Sequence, residues 1–116
     1  MDSDKLLSFG DFLKVEMRIG KIIEATDFPE AHKPAYKLRI DFGEEIGVKK
    51  TSAQITHHYS KEQLVGKLVV AVVNFGPKQI GKFMSEVLVL GAPDEAGEII
   101  LIEPGKNGAQ PGERIC

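Results

Sequence analysis

The sequence predicts an all-β protein: a small, closed five-stranded barrel with one short helix between its third and fourth strands. Three observations carry that expectation. "YKLRIDFG" (36–43) sets Tyr36, Leu38, Ile40 and Phe42 in alternation with Lys37, Arg39 and Asp41, the period of a strand with one buried face. "KLVVAVVNF" (67–75) is apolar on both faces, as a central, fully buried strand is. Ahead of it, "SKEQLVG" (60–66) has Ser60 and Gln63 at capping-box spacing and Gly66 where a helical turn stops. An open sandwich is the competing arrangement. Closure into a barrel has the advantage of leaving no exposed strand edge.

The elements follow in order. Ser8 caps a short helix, with Asp11 three positions on and Phe9, Phe12 and Leu13 as its apolar side. In "VEMRIGKIIEA" (15–25), Val15, Met17 and Ile19 alternate with polar residues up to Gly20, after which the apolar phase moves to Ile22 and Ile23. A phase change at a glycine predicts a bulge or barrel corner there. "DFPEAHKPA" (27–35) is a loop with two prolines, and "EEIGVKKTSAQI" (44–55) is the next strand, entered through a turn at Gly43–Glu45. "GPKQIGKFM" (76–84) reads as a loop and "SEVLVLG" (85–91) as a strand. "EVLVL" and "EIILI" form a hairpin joined through Asp94–Gly97. This order is that of the oligonucleotide-binding, or OB, fold. Residues 1–116 are expected to form one domain, with 1–13 as an N-terminal helical extension and 93–116 as a C-terminal extension.

Composition narrows the function. The N-terminus carries acids where a signal peptide needs bases, and no apolar run approaches the length of a membrane span, so a cytoplasmic protein without membrane insertion is expected. Cys116 is the sole cysteine and has no partner within the chain; it either sits idle or cross-links two copies. The net charge of −2 conceals an asymmetry. Residues 49–82 hold six lysines and one acid, a local +5, against −7 for the remainder. The lysines make either an anion-binding face or a solvated surface that balances acids nearby in space.

Catalytic chemistry finds no support. His57 and His58 are adjacent, so on a strand they would face opposite ways, and no further Cys or His cluster completes a metal site. No serine sits in a nucleophile turn, and neither "GEEIG" nor "GPKQIG" matches a phosphate-cradling loop. No enzyme, metal or cofactor is expected. Binding remains. An OB barrel meets its ligand on the face of strands two and three and on the loops after strands one and four. Those places hold Lys33, Lys49, Lys50, Lys78 and Lys82, with Gln54, Asn74, Gln79 and Ser85, interleaved with Phe75, Ile80, Phe83 and Met84. Lysines neutralise phosphates, while amides and aromatic rings meet unpaired bases. Phe75 and Phe83 are equally read as plugs for the barrel ends. Asn74, a polar amide closing a buried strand, needs a hydrogen-bonding partner. "KKTSAQITHHY" (49–59) reads as the polar outer face of a barrel strand, with the two histidines capping its end.

"DFLKVEMRIGKIIEA" and "VVNFGPKQIGKFMSEVLVLGA" resemble the tRNA-binding domain family, found at the C-termini of some methionyl-tRNA synthetases and as stand-alone tRNA-binding proteins. Within it, "DFGEEIGVKKTSAQITHHY" and "SEVLVLGA" are similar to CsaA-like members. The resemblance runs from about Phe9 to the C-terminus. It implies an OB-fold homodimer whose terminal elements help form the interface, tRNA binding, and an export-related chaperone activity on unfolded polypeptides. By position, it implies that Asn74, the Lys78–Lys82 loop and Ser85–Glu86 face RNA, with Ser52 and Gln54 beside them. Synthetase-type members follow the serine and glutamate with Gly-Met; here Val87 and Leu88 follow, which favours polypeptide binding. A basic, partly apolar face serving tRNA and unfolded polypeptide is one expectation, with Phe75, Ile80, Phe83 and Met84 as peptide contacts. A purely peptide-binding chaperone dimer is the alternative.

Overall fold

The computed structural model describes residues 5–106 and 108–116, so Met1–Asp4 of the N-terminal extension and Asn107 of the C-terminal one lie outside the described residues. The Ser8 hydroxyl accepts the Asp11 N–H at 3.0 Å and opens α1 (Phe9–Lys14). The chain continues through β1 (Met17–Asp27), β2 (Tyr36–Asp41), one helical turn α2 (Gly43–Ile46) and β3 (Val48–Ala53). Then come α3 (Lys61–Leu64), β4 (Leu68–Val72), β5 (Lys78–Ile80), β6 (Phe83–Ser85), β7 (Leu88–Val89), β8 (Gly91–Pro93) and β9 (Ile99–Leu101). Both halves of the predicted capping box are present at α3: Ser60 Oγ accepts from Gln63 N–H, and the Gln63 side chain accepts from Ser60 N–H.

Five antiparallel strands form the main sheet in the order β3-β2-β1-β4-β7. The sheet curls until its edges meet. Glu86 N–H donates to the Lys50 carbonyl at 2.8 Å, and Lys50 N–H donates to Glu86 Oε1 at 3.0 Å. A nearly closed five-stranded barrel with α3 between its third and fourth strands results, as the sequence predicts. The inward phase of β2 supplies Tyr36, Leu38 and Ile40; Ile22, Phe42, Leu64, Val69 and Ala71 complete the centre of the core. The β4 strand is buried at four successive positions, in keeping with its apolar run.

Several expectations need correction. The strand irregularity falls between Ile22 and Glu24 rather than at Gly20, and it turns Ile23 outward. Gly20 serves close packing instead: a Cβ there would stand 2.5 Å from Ile40 Cγ2 and 2.6 Å from Phe42 Cε1. "GPKQIGKFM" is not a plain loop. It folds into a two-stranded ribbon, β5 on β6, pairing Lys78 with Ser85, Gln79 with Met84 and Ile80 with Phe83, and Gly81 supplies the positive φ of +62° in its turn. Three residues per strand with mixed polarity give no period to read. The strand expected from 85 to 91 is split: only Leu88–Val89 pairs with β4, whereas Gly91–Pro93 pairs with β9 to make the expected terminal hairpin. The strand expected over 44–55 begins only at Val48, after the helical turn α2, and ends at Ala53, with His57 and His58 in the turn that follows.

That turn is tied to the hairpin. His58 Nε2 lies 2.7 Å from Asp94 Oδ2, while Asp94 Oδ1 accepts from the N–H groups of Ala96 and Glu98. The His58 hydrogen bond, followed by that from Glu98, holds the Asp94 carboxyl below the usual aspartate range. The apolar side of α1 does not enter the core: Phe9 is 73% exposed, and Leu6, Leu7 and Leu13 are exposed with it. At the other end, residues 112–115 run beside the first half of β1. Gly112 N–H donates to the Ile19 carbonyl, Ile19 N–H to Glu113 and Ile115 N–H to Met17, at 2.7–2.9 Å.

Candidate functional site

The main cleft, about 920 Å³, opens between the 28–35 loop, β3 with the residues after it, the β5–β6 ribbon and β7. Of the residues expected from the sequence, Lys33, Ser52, Gln54, Lys78, Gln79, Ile80 and Ser85 line it. Its floor is fixed by Thr51, the one buried polar residue among those described. Thr51 Oγ1 donates to the Val87 carbonyl at 2.6 Å and lies 2.7 Å from Ser85 Oγ, so the Ser85 hydroxyl donates in turn. This stitches β3 to the β6–β7 segment at the base of the cleft. Thr51→Val would remove both short bonds and leave the Ser85 hydroxyl and the Val87 carbonyl only their mutual 3.5 Å contact; we expect about 1–3 kcal/mol of lost stability, read by urea denaturation.

A second group of residues adjoins the cleft, where Phe28 is buried in the wall and Phe83 is half-buried. The Phe28 and Phe83 rings meet edge-on at 5.3 Å. Lys37 Nζ stands 4.9 Å from the Phe28 centroid and 5.5 Å from that of Phe83, and Lys50 Nζ stands 5.4 Å from Phe83. Two ammonium groups over one ring gain from its quadrupole and also concentrate positive charge at its edge. The register pairs Lys37 with Ser52 and Arg39 with Lys50, so all four share the outer face of β2 and β3. Lys37 and Arg39 were missed by sequence reasoning. They form the polar phase of β2 beside Lys50, and both have acid partners, Lys37 with Glu30 at 3.8 Å and Arg39 with Glu24 at 3.7 Å.

The other expected residues divide. Lys49 shares the inward phase with Thr51 and so faces away from Lys50. Lys82 is exposed in the turn of the ribbon. Met84 is half-buried on β6 and lines neither cavity. Asn74 has its needed partners: Oδ1 accepts from Glu16 N–H at 3.0 Å, and Nδ2 donates to the Lys14 carbonyl at 2.7 Å, pinning the α1–β1 junction to the end of β4. Phe75 and Glu86, with Gly76, line an adjoining cavity of about 280 Å³ that shares Lys78, Ser85, Val87 and Leu88 with the main cleft.

Electrostatics separates two kinds of lysine within the basic segment. Lys61 pairs with Asp27 at 3.0 Å and Lys67 with Glu103 at 3.1 Å. Lys49, Lys50, Lys78 and Lys82 form no salt bridge among the described residues, and neither does Lys33 in the facing loop. The charge asymmetry is thus partly balanced in space and partly left over, and of the remainder Lys33 and Lys78 line the cleft. Ammonium groups without acid partners beside a concave surface favour an anionic ligand. Among the described residues, no three His, Cys, Asp or Glu side chains gather as a metal site would require. No helix among them is long and apolar enough to cross a membrane.

Fold and site together define an OB-type binding module with a basic, aromatic-edged cleft. The chain belongs to the tRNA-binding domain family, whose sequence profile matches residues 17–114. Among solved structures, it is similar to the CsaA chaperone protein from Picrophilus torridus, with 51% identity, a TM-score of 0.88, and coverage of 96% of this chain and 100% of that one. The chaperone CsaA from Bacillus anthracis str. Ames is 48% identical at the same TM-score, over 96% of this chain and 99% of its own. A MetRS related protein from Pyrococcus horikoshii shares 27% identity and a TM-score of 0.82, over 97% and 99% of the two chains.

Proposed function

We propose that this chain is a CsaA-like protein that binds structured tRNA along the outer face of β2–β3 and in the main cleft, and that the same face holds unfolded, export-competent polypeptide. The observation that carries the reading is the placement of Lys33 and Lys78 in the cleft wall and of Lys50 over the Phe83 ring beside it, none of the three with an acid partner among the described residues. Phosphates meet the ammonium groups, and unpaired bases meet the half-buried Phe83 ring. Ile80, Val87 and Val89 supply the apolar wall a polypeptide segment needs. The protein acts by binding, with no reaction, metal or cofactor, as a cytoplasmic homodimer of single-domain subunits. Leu6, Leu7, Phe9 and Leu13, left exposed on the N-terminal extension, are the surface such a dimer would cover.

Fluorescence anisotropy of labelled tRNA across a salt series tests the RNA role, with an unstructured RNA of equal length as the control. If four or five phosphates are neutralised, log affinity falls with log salt at a slope of about −3 to −4.5. A flat slope, or equal binding of the control, refutes structured-RNA binding. The second reading, a peptide-holding dimer without specific tRNA affinity, is favoured by Val87 and Leu88, which make the segment after Ser85–Glu86 apolar. Under that reading peptide affinity persists in high salt, because burial of apolar area is not screened. On a shared face, tRNA and peptide compete.

A further inference from the structure

We propose that the smaller cavity beside Phe75 is a single-base subsite. It receives one unpaired nucleobase of the RNA held in the main cleft, stacked on the Phe75 ring, with the adjoining phosphate at Lys78. The inference rests on the tRNA-binding reading above and adds to it where a base goes.

Position is the first argument. Lys78 and Ser85 are a cross-strand pair at the root of the β5–β6 ribbon, and both line the main cleft and the smaller cavity. Val87 and Leu88 line both cavities as well, so a nucleic-acid strand lying in the cleft passes directly into the smaller cavity along these shared residues. The second argument is size. At about 280 Å³ the cavity falls just below the range of pockets that enclose a drug-sized molecule, and it suits one flat ring system.

Chemistry divides the occupant between cavity and lip. Phe75, Gly76, Val87 and Leu88 make much of the lining apolar, as a base face requires. The Glu86 carboxylate also stands in the wall, its Oε1 held by the Lys50 N–H at 3.0 Å. A fixed negative charge repels a phosphate from the interior. The phosphate is left to Lys78 on the lip, which has no acid partner among the described residues. Phe75 is not spoken for by the core. Its ring is 55% exposed and makes no aromatic pair among the described residues, so it does not plug the barrel end.

The test uses two variants of the full chain. Phe75→Ala removes the stacking face and is expected to weaken tRNA binding between about 5-fold and 150-fold, the range for loss of one base stack. The slope of log affinity against log salt should stay that of the wild type, because the phosphate contacts remain. The sequence contains no tryptophan, so Phe75→Trp places a single indole at the lip, and its fluorescence should be quenched by tRNA. Wild-type tRNA affinity in Phe75→Ala overturns the subsite while leaving the RNA role intact. Loss of peptide binding alone would assign the cavity to an apolar side chain and also overturn it. A change in elution volume on size exclusion would assign the ring to a subunit contact and overturn the subsite as well. If the wild type itself binds no tRNA, both the function and the subsite fall.

Discussion

Phe42→Ala is expected to lower the free energy of unfolding by about 3–5 kcal/mol, the range for removing a buried phenylalanine ring. Phe42 is fully buried where β2 runs into α2, and its ring fills the space that Gly20 leaves open on β1. Its N–H donates to the Gly47 carbonyl at 3.0 Å, so the residue also anchors the turn that aims β3 at the cleft. The surrounding strands are held in register on both sides and have little room to collapse into the gap. Domains of this size are stable by about 5–15 kcal/mol, so the loss is a large share of the total. Calorimetry should show a fall in melting temperature of roughly 10–20 °C. A loss below about 1 kcal/mol would place the ring outside the core.

Joint reversal of Lys37 and Lys50 to glutamate is expected to weaken tRNA binding by roughly 30-fold or more at 0.1 M salt. Each neutralised phosphate contributes about 0.7–0.9 to the slope of log affinity against log salt, so losing two should flatten it by about 1.4–1.8. Both side chains are extended over the Phe83 ring, and neither is needed to close the barrel: the bonds from β3 to Glu86 that involve Lys50 use its main-chain N–H and carbonyl. Lys37 also pairs with Glu30 at 3.8 Å, a contact that a phosphate must displace. Lys67→Gln is the control, since Lys67 is held by Glu103 at 3.1 Å and stands over the Tyr59 ring rather than Phe83. An unchanged slope in the double variant would remove the outer β2–β3 face from the RNA site.

What was legible in the sequence was whatever a short window decides. Alternation fixed the two faces of β2, the doubly apolar run placed β4 in the centre, and Ser60 with Gln63 marked the start of α3. The β5–β6 ribbon escaped because three-residue strands carry no period, and their pairing is set by the turn at Gly81. Of the candidate residues, Lys33, Gln54, Lys78, Gln79, Ile80 and Ser85 were readable from strand order and Ser52 from the family resemblance, and the cleft gathers them. Lys37 and Arg39 were passed over because solvent already explains a charge on the outward phase of a strand. Only their register with Ser52 and Lys50 shows them as one surface. That Asn74 needed partners was plain, but Glu16 and Lys14, 58 and 60 residues earlier, were not to be found by spacing.

The bonds between β1 and residues 112–115 bear on how the protein is made. Ile19 and Glu113, which share one of them, are 94 positions apart, and every other strand is translated between them. At about 5–20 residues per second, a ribosome takes roughly 5–20 seconds to cover that distance. Throughout that interval the leading half of β1 has β4 at most for a neighbour, and its other flank lies open to whatever extended chain comes near. The nascent protein thus passes through a period in which it needs the kind of protection from unwanted pairing that we propose its finished form gives to others.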